Sequence, residues 1–163
     1  MKRWHPQSSP EETTARTANF LNNLQRIPRH MPAGHLWTAF RTISNAANTS
    51  RRFQQRILPC IWCNTPEQDA IDHLPSCPSI PYIINTHLPH LRGVSLTTDI
   101  FFMTTPLHPL DAGSVVCLHD LLNSGIVARL HTGHPFDPHT TIIARARATL
   151  RRHPALHNCF RIG

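Results

Sequence analysis

Of the 16 Lys and Arg residues in this 163-residue chain, only Lys2 is lysine. Acids are scarce too: nine Asp and Glu leave a formal net charge of +7. No apolar run reaches the roughly eighteen residues a membrane helix needs, so no transmembrane segment and no membrane partner is expected. No apolar stretch follows the N-terminal charges, so no secretory signal is expected either. The sequence contains no Gly-rich phosphate loop and no Gly-x-Ser-x-Gly elbow. It has no adjacent Asp-Asp pair of the kind a polymerase uses. These absences argue against a catalytic site and against a small-molecule substrate. No internal repeat or low-complexity tract is visible.

What the chain has instead is arginine. Arg grips phosphate with two parallel hydrogen bonds and stacks on bases, so an Arg-only basic set suits RNA or DNA, and RNA in particular. The alternative is a basic protein with a solvated surface, or one buried in a large assembly. Thirteen His add positive charge below about pH 6.5. The length fits one domain with a modest core, to which a metal site would add stability.

Three of the five cysteines lie close together with one histidine, in the order Cys60-x2-Cys63-x9-His73-x3-Cys77. Zn2+ takes four soft or borderline ligands in a tetrahedron, and a Cys3His set is a closed structural site with no open position for a substrate. A two-residue gap brings two thiolates to one ion. A three-residue gap spans about one helical turn and brings His73 and Cys77 together. Asn64 follows the knuckle, where a residue tolerant of positive φ helps the chain turn. Thr65-Pro66-Glu67-Gln68 reads as a capped helix start that would deliver His73. The alternative reading of these thiols is a disulfide or free cysteines. Five cysteines, an odd number with a metal-like cluster, suit a reducing intracellular compartment, nucleus or cytoplasm. Arg, Ser and Thr among the first thirty residues also fit a mitochondrial transit peptide, against which Glu11 and Glu12 count.

At these residues the chain resembles a known family. The stretch from about His35 to Cys77 is similar to the zinc-binding segment that follows the polymerase region in non-LTR retrotransposon reverse transcriptases. The matching features are Ala39-Phe40-Arg41, Asn48-Thr49-Ser50-Arg51-Arg52-Phe53, the Cys60/Cys63 knuckle, Asp69-Ala70-Ile71-Asp72-His73-Leu74 and Cys77-Pro78. The C-terminal half resembles such proteins only loosely. In that family a continuous helix runs through the His and the last Cys, whereas here Pro75 is expected to interrupt it. With no Asp-Asp pair, the resemblance covers an accessory region and not the polymerising part.

The remaining pattern is helical. Residues 1–8 read as a basic arm, 9–57 as a helical segment with a basic run, 58–80 as the zinc-binding segment and 81–163 as the helical remainder of one domain. Ser9-Pro10-Glu11-Glu12 is a capping box opening a helix to about Ile27, with Phe20, Leu24 and Ile27 on one face. A second helix is expected over about His35 to Ala47, burying Leu36, Phe40, Ile43 and Ala47. Tyr82-Ile83-Ile84 fits a short helix or an extended piece, and Ile100-Phe101-Phe102-Met103 a short buried helix or a strand. A long helix from Asp111 or Ser114 to Leu130 shows Val115, Leu118, Leu122 and Ile126 on its apolar face, with a kink at Gly125. His131 to His134 reads as a turn. Asp137-Pro138 caps a last helix to about Arg152, with Ile143, Ala146 and Leu150 inward.

Two basic surfaces stand out as nucleic-acid candidates, each with a solvated charge run as its alternative. One is Arg51, Arg52 and Arg56, directly before the knuckle. The other is Arg147, Arg151 and Arg152 on the last helix, where Arg145 adds charge. Further ligand-like pairs, His87/His90, His131/His134 and His153/His157, with Cys117 and Cys159, form no full set, and Cys117 near His119 has no third orienting group. The expectation is a mainly α single domain around one structural zinc, non-catalytic, with RNA or DNA as partner. The runner-up is an interaction subunit of a larger ribonucleoprotein such as an organellar ribosome.

Overall fold

The computed structural model describes residues 9–27, 29–44, 49, 58–66, 69–132 and 137–160. Among them there is no strand. Six α-helices follow one another: α1 (Pro10–Arg26), α2 (Ala33–Ile43), α3 (Ile80–His87), α4 (Thr98–Phe101), α5 (Pro109–Thr132) and α6 (Pro138–Arg152). Tight 3-10 turns at Ile71–Ser76, Pro89–Leu91 and Pro154–Asn158 join or extend them.

The caps behave as the sequence implies. The Ser9 hydroxyl accepts from the Glu12 N–H at 3.1 Å, and the Glu12 carboxylate accepts from the Ser9 N–H at 3.0 Å. Asp137 accepts from the His139 and Thr140 N–H groups at 2.9 and 3.2 Å and opens α6. Both devices satisfy N–H groups that a helix start leaves without partners.

The organising element is α5. Ala112, Val115, Val116, Cys117, Leu118, Leu121 and Leu122 are all buried, so this half of the helix is enclosed on every side. It packs against α1, α2, α6 and the Pro89–Leu91 turn. It starts two residues before Asp111, and it runs through His131 and Thr132, where a turn was expected. A helix so fully enclosed draws its length from packing more than from local propensity.

Two buried faces differ from the expected ones. On α2 the buried residues are His35, Ala39, Thr42 and Ile43. Leu36 is only partly buried and Phe40 is 45% exposed. Small Ala39 allows α2 to approach α5 closely, and His35 is drawn in by Asp120 of α5, 3.4 Å away. Ala47 lies outside the described residues. On α6 the inward residues are Ile142, Ala146 and Thr149, so Ile143 and Leu150 are rotated to the margin. The two ambiguous stretches are helical: Ile83 and Ile84 are buried on α3, while Phe101, Phe102 and Met103 form the buried end of the single-turn α4.

Polar groups hold the loops. Asn23 is buried on α1, donates to the Met103 and Thr105 carbonyls at 2.9 and 2.7 Å, and accepts from the Leu107 N–H at 3.0 Å. His119 on α5 donates through Nε2 to the Phe101 carbonyl at 3.0 Å. Its burial pushes the imidazole pKa down to about 4, against the partial upward pull of that bond.

The His119 ring is therefore neutral in the fold, while in the unfolded chain it takes up a proton near pH 6.5. Stability should fall as pH drops through about 6.5 and level off near 4, a loss of about 3 kcal/mol from this one group. The variant His119→Gln keeps an N–H for the Phe101 carbonyl but does not titrate. Urea unfolding at pH 7 and pH 4.5 should show it losing about 2–3 kcal/mol less than the parent chain. Equal losses would mean that the ring is not buried as described.

Candidate metal centre

The chain reverses at the knuckle through a closed loop. The Cys60 N–H donates to the Thr65 carbonyl at 2.9 Å, and the Asn64 N–H donates to the Cys60 carbonyl at 2.8 Å. Asn64 takes φ 58°, the left-handed turn conformation that Asn tolerates better than most residues. The Asp69 N–H then donates to the Leu58 carbonyl at 3.1 Å and ties the loop's return to its start.

His73 arrives differently from expectation. No described residue between Thr65 and Ile71 is helical. Glu67 and Gln68 of the expected capping box lie outside the described residues. The Thr65 hydroxyl lies 3.0 Å from the Cys63 sulfur instead. His73 sits on the Ile71–Ser76 3-10 turn, which passes through Pro75. No continuous helix runs through His73 and Cys77: a two-turn 3-10 segment accommodates Pro75, asks few N–H groups to donate, and ends before Cys77, whose backbone is extended. The Cys77 N–H still reaches the Leu74 carbonyl at 3.2 Å.

These elements bring Cys60, Cys63, His73 and Cys77 together, with all four ligand atoms within 4.8 Å of one another. Cys60 Sγ and Cys77 Sγ are 3.9 Å apart, and Cys63 Sγ and His73 Nε2 are 3.3 Å apart. Ligands of a tetrahedral zinc would be separated by about 3.8 Å between sulfurs and about 3.6 Å between sulfur and nitrogen, from bond lengths of roughly 2.3 and 2.05 Å. The cluster is therefore of a size to hold one metal ion.

Its surroundings favour thiolates. The Trp62 N–H points at Cys60 Sγ from 3.4 Å, and the Ser79 backbone N–H bonds to the Cys77 sulfur. The Cys77 thiol and the Cys63 and Trp62 N–H groups together bring Cys60 down to about 5, against its burial. Cys77 moves the opposite way, raised by the Cys60 sulfur beside it and by burial. A thiolate in a buried site is a negative charge that a bound cation would offset. Cys60 and Cys77 are buried, whereas Cys63 and His73 lie at the surface edge.

The loop is seated on α5 by two contacts that the sequence did not announce. The Asp69 carboxylate, 3% exposed, accepts from the Arg129 guanidinium. One helical turn earlier, the Trp62 ring lies against Gly125, so close that a Cβ there would stand 2.3 Å from Cη2 and 2.5 Å from Cζ2. Gly125 is thus a seat for an indole rather than a kink, and α5 continues unbroken through it.

The other candidates fare differently. Arg51, Arg52 and Arg56 lie outside the described residues. Arg147, Arg151 and Arg152 are exposed on α6. Arg145 turns inward and clasps Asp120 of α5 with two bonds of 2.8 Å. Cys117 and Cys159 are buried free thiols that share a hydrogen bond, and burial raises Cys117. Cys117 and His119 therefore have separate partners. Among the described residues only the Cys3His set forms a possible metal group, and no helix is long and apolar enough to cross a membrane. Set against protein families, curated proteins and solved structures, the chain matches none of them.

Gly125→Ala separates the two readings of that glycine. In an open helix the change would stabilise by up to about 1 kcal/mol. Against the Trp62 ring it should instead destabilise by about 1–3 kcal/mol and loosen metal retention, since the knuckle must shift. Thermal unfolding with metal analysis on the same samples measures both, and a more stable variant with full metal would contradict the contact.

Proposed function

We propose that this chain is a non-catalytic, zinc-stabilised module that binds nucleic acid, RNA or DNA, through arginines fixed beside the metal loop. The observation that carries the reading is the gathered Cys3His set at the end of a strongly basic segment. Between Glu12 and Glu67 there is no acidic residue, while Arg16, Arg26, Arg29, Arg41, Arg51, Arg52 and Arg56 all fall there. Zinc bound at Cys60, Cys63, His73 and Cys77 would act as a cross-link: four protein ligands leave no coordination position for a reaction. A closed site and a basic surface are also what the resemblance to the zinc-binding segment of retroelement reverse transcriptases implies. On this reading Arg51, Arg52 and Arg56, which directly precede the knuckle in sequence, neutralise phosphates, and Arg147, Arg151 and Arg152 supply a second phosphate-facing surface. A second reading, an interaction subunit of a larger ribonucleoprotein, is favoured by the uncovered Trp37–Phe40 face of α2.

One zinc per chain is expected from protein produced with zinc supplied. Atomic-emission analysis should find close to one equivalent, lost in the double variant Cys63→Ser with His73→Ala. Less than about half an equivalent in the parent, or full retention in the variant, would remove the metal from the reading. Because such binding is largely folding free energy, a chelator should loosen residues 58–80 before the α5 core.

Affinity for a single-stranded RNA should be mainly electrostatic. Each neutralised phosphate contributes about −0.7 to −0.9 to the slope of log affinity against log salt. Changing Arg51, Arg52 and Arg56 together to Gln should flatten that slope by roughly two to three. The same change at Arg147, Arg151 and Arg152 should cost less. Anisotropy across a salt series measures this; an unchanged slope in the first variant would refute the placement. No binding at low salt would favour the subunit reading.

A further inference from the structure

Two residues that periodicity assigns to the core of α2, Leu36 and Phe40, lie instead on a face that is open to solvent in part. Ala33, Leu36, Trp37 and Phe40 recur at i, i+3, i+4 and i+7, the spacing by which a helix presents one apolar face to a partner. Trp37 is 61% and Phe40 45% exposed. Their rings stack on each other, with centroids 5.7 Å apart and planes 19° apart. Leu24 of α1 completes an open groove of about 400 Å³ with Ala33, Leu36, Trp37 and Phe40. Leu21, one turn before Leu24, is 51% exposed and extends the apolar surface along α1.

Two features define the occupant. The groove is lined by Leu24, Ala33 and Leu36 beside the two rings, and each ring already spends one face on the other, so bases would find few polar groups to read their edges. The surroundings are basic: Arg26 and Arg29 are exposed at the turn from α1 to α2, and the nearest acids in sequence are Glu12 and Glu67. A second copy of the chain would bring the same positive charge to the groove and be repelled.

From this geometry we infer that the α1–α2 groove is a docking site for an amphipathic helix of another protein, with apolar residues at i, i+3 or i+4 and i+7 and acidic residues flanking them. Trp37 is the central anchor, the residue type that most often dominates such interfaces. Arg26 and Arg29 set orientation and speed encounter more than they add affinity. The site is separate from the metal loop, so a chain holding nucleic acid elsewhere would couple it to a protein partner.

Display selection of randomised eighteen-residue peptides against the zinc-loaded full chain tests this, with counter-selection on Trp37→Ala. Winners should carry the apolar spacing with Asp or Glu at the flanks. Trp37→Ala should weaken the best peptide by about ten- to thirty-fold, as for a central aromatic anchor. Because Trp37 is exposed, circular dichroism and metal content should match the parent. Arg26→Gln with Arg29→Gln should weaken binding a few-fold, mostly through slower association. A selection that returns no Trp37-dependent peptide, or peptides with basic flanks, overturns the proposal. So does a single-stranded oligonucleotide whose binding is lost in Trp37→Ala, or self-association by sedimentation that the same variant abolishes.

Discussion

A helix that is apolar on every side has to be enclosed, and that need sets the arrangement of the other elements around α5. From Ala112 to Leu122 there is no side of this helix left for water, so α1, α2 and α6 have to cover it. Full burial makes any polar group on α5 costly unless it is paired. Two of the buried polar groups on α5 are paired accordingly. His119 gives its proton to the Phe101 carbonyl, and Asp120 receives both arms of Arg145 with His35 alongside. Such pairs add little net stability over an apolar core, but breaking one partner away is expensive. They therefore fix which face of α2 and α6 meets α5. That explains why His35 is inside and Phe40 outside.

The metal loop depends on the same helix, further along. Gly125 and Arg129 are four residues apart and so face the same way, and they receive Trp62 and Asp69 respectively. Trp62 lies between two of the metal ligands in sequence, and Asp69 closes the loop that those ligands open. The knuckle is thus held from below before any metal is considered. A metal ion would then cross-link the knuckle to the Ile71–Ser76 turn, whose Ile71 and Leu74 are buried in the same core. The site and the core are one packing problem, so a change at Gly125 should be felt at the metal.

Much of this was legible in the sequence where a signal is local. The capping box at Ser9, the Asp137 cap, the positive φ of Asn64 and the four ligands follow from chemistry within a few residues. What periodicity misjudged was orientation. It put Phe40 inside because Leu36, Phe40, Ile43 and Ala47 share one helical stripe, whereas close helix packing here selects the small Ala39 and places His35 beside Asp120. It also read Gly125 as a break, since the ring that needs the space comes from a residue sixty-three positions earlier. Arg129 and Arg145 carried no sign of their partners for the same reason: Asp69 and Asp120 are distant in sequence. Pro75 correctly signalled that no continuous helix runs through His73 and Cys77; what it did not signal is the short 3-10 turn, which tolerates a proline that the interior of a longer α-helix would not.

The distribution of acids links the fold to the basic character of the surface. Glu12 and Asp137 are committed to helix starts, and Asp69 and Asp120 are buried against arginines. Asp99 accepts from the Thr104 hydroxyl at 2.6 Å and lies 3.8 Å from Arg16. Five of the nine acids are thereby held in local structural contacts. Among the described residues, Arg129 and Arg145 turn toward buried carboxylates, Arg16 lies beside Asp99 and Arg92 donates to the Asn85 carbonyl. Charge that is paired in a buried site contributes little field outside, whereas exposed Arg26, Arg29, Arg147, Arg151 and Arg152 face solvent. The two buried pairs cancel, so the +7 excess is carried by the remaining charged residues. An anionic partner, whether a phosphate backbone or an acid-flanked helix, would be attracted by that excess before any specific contact formed.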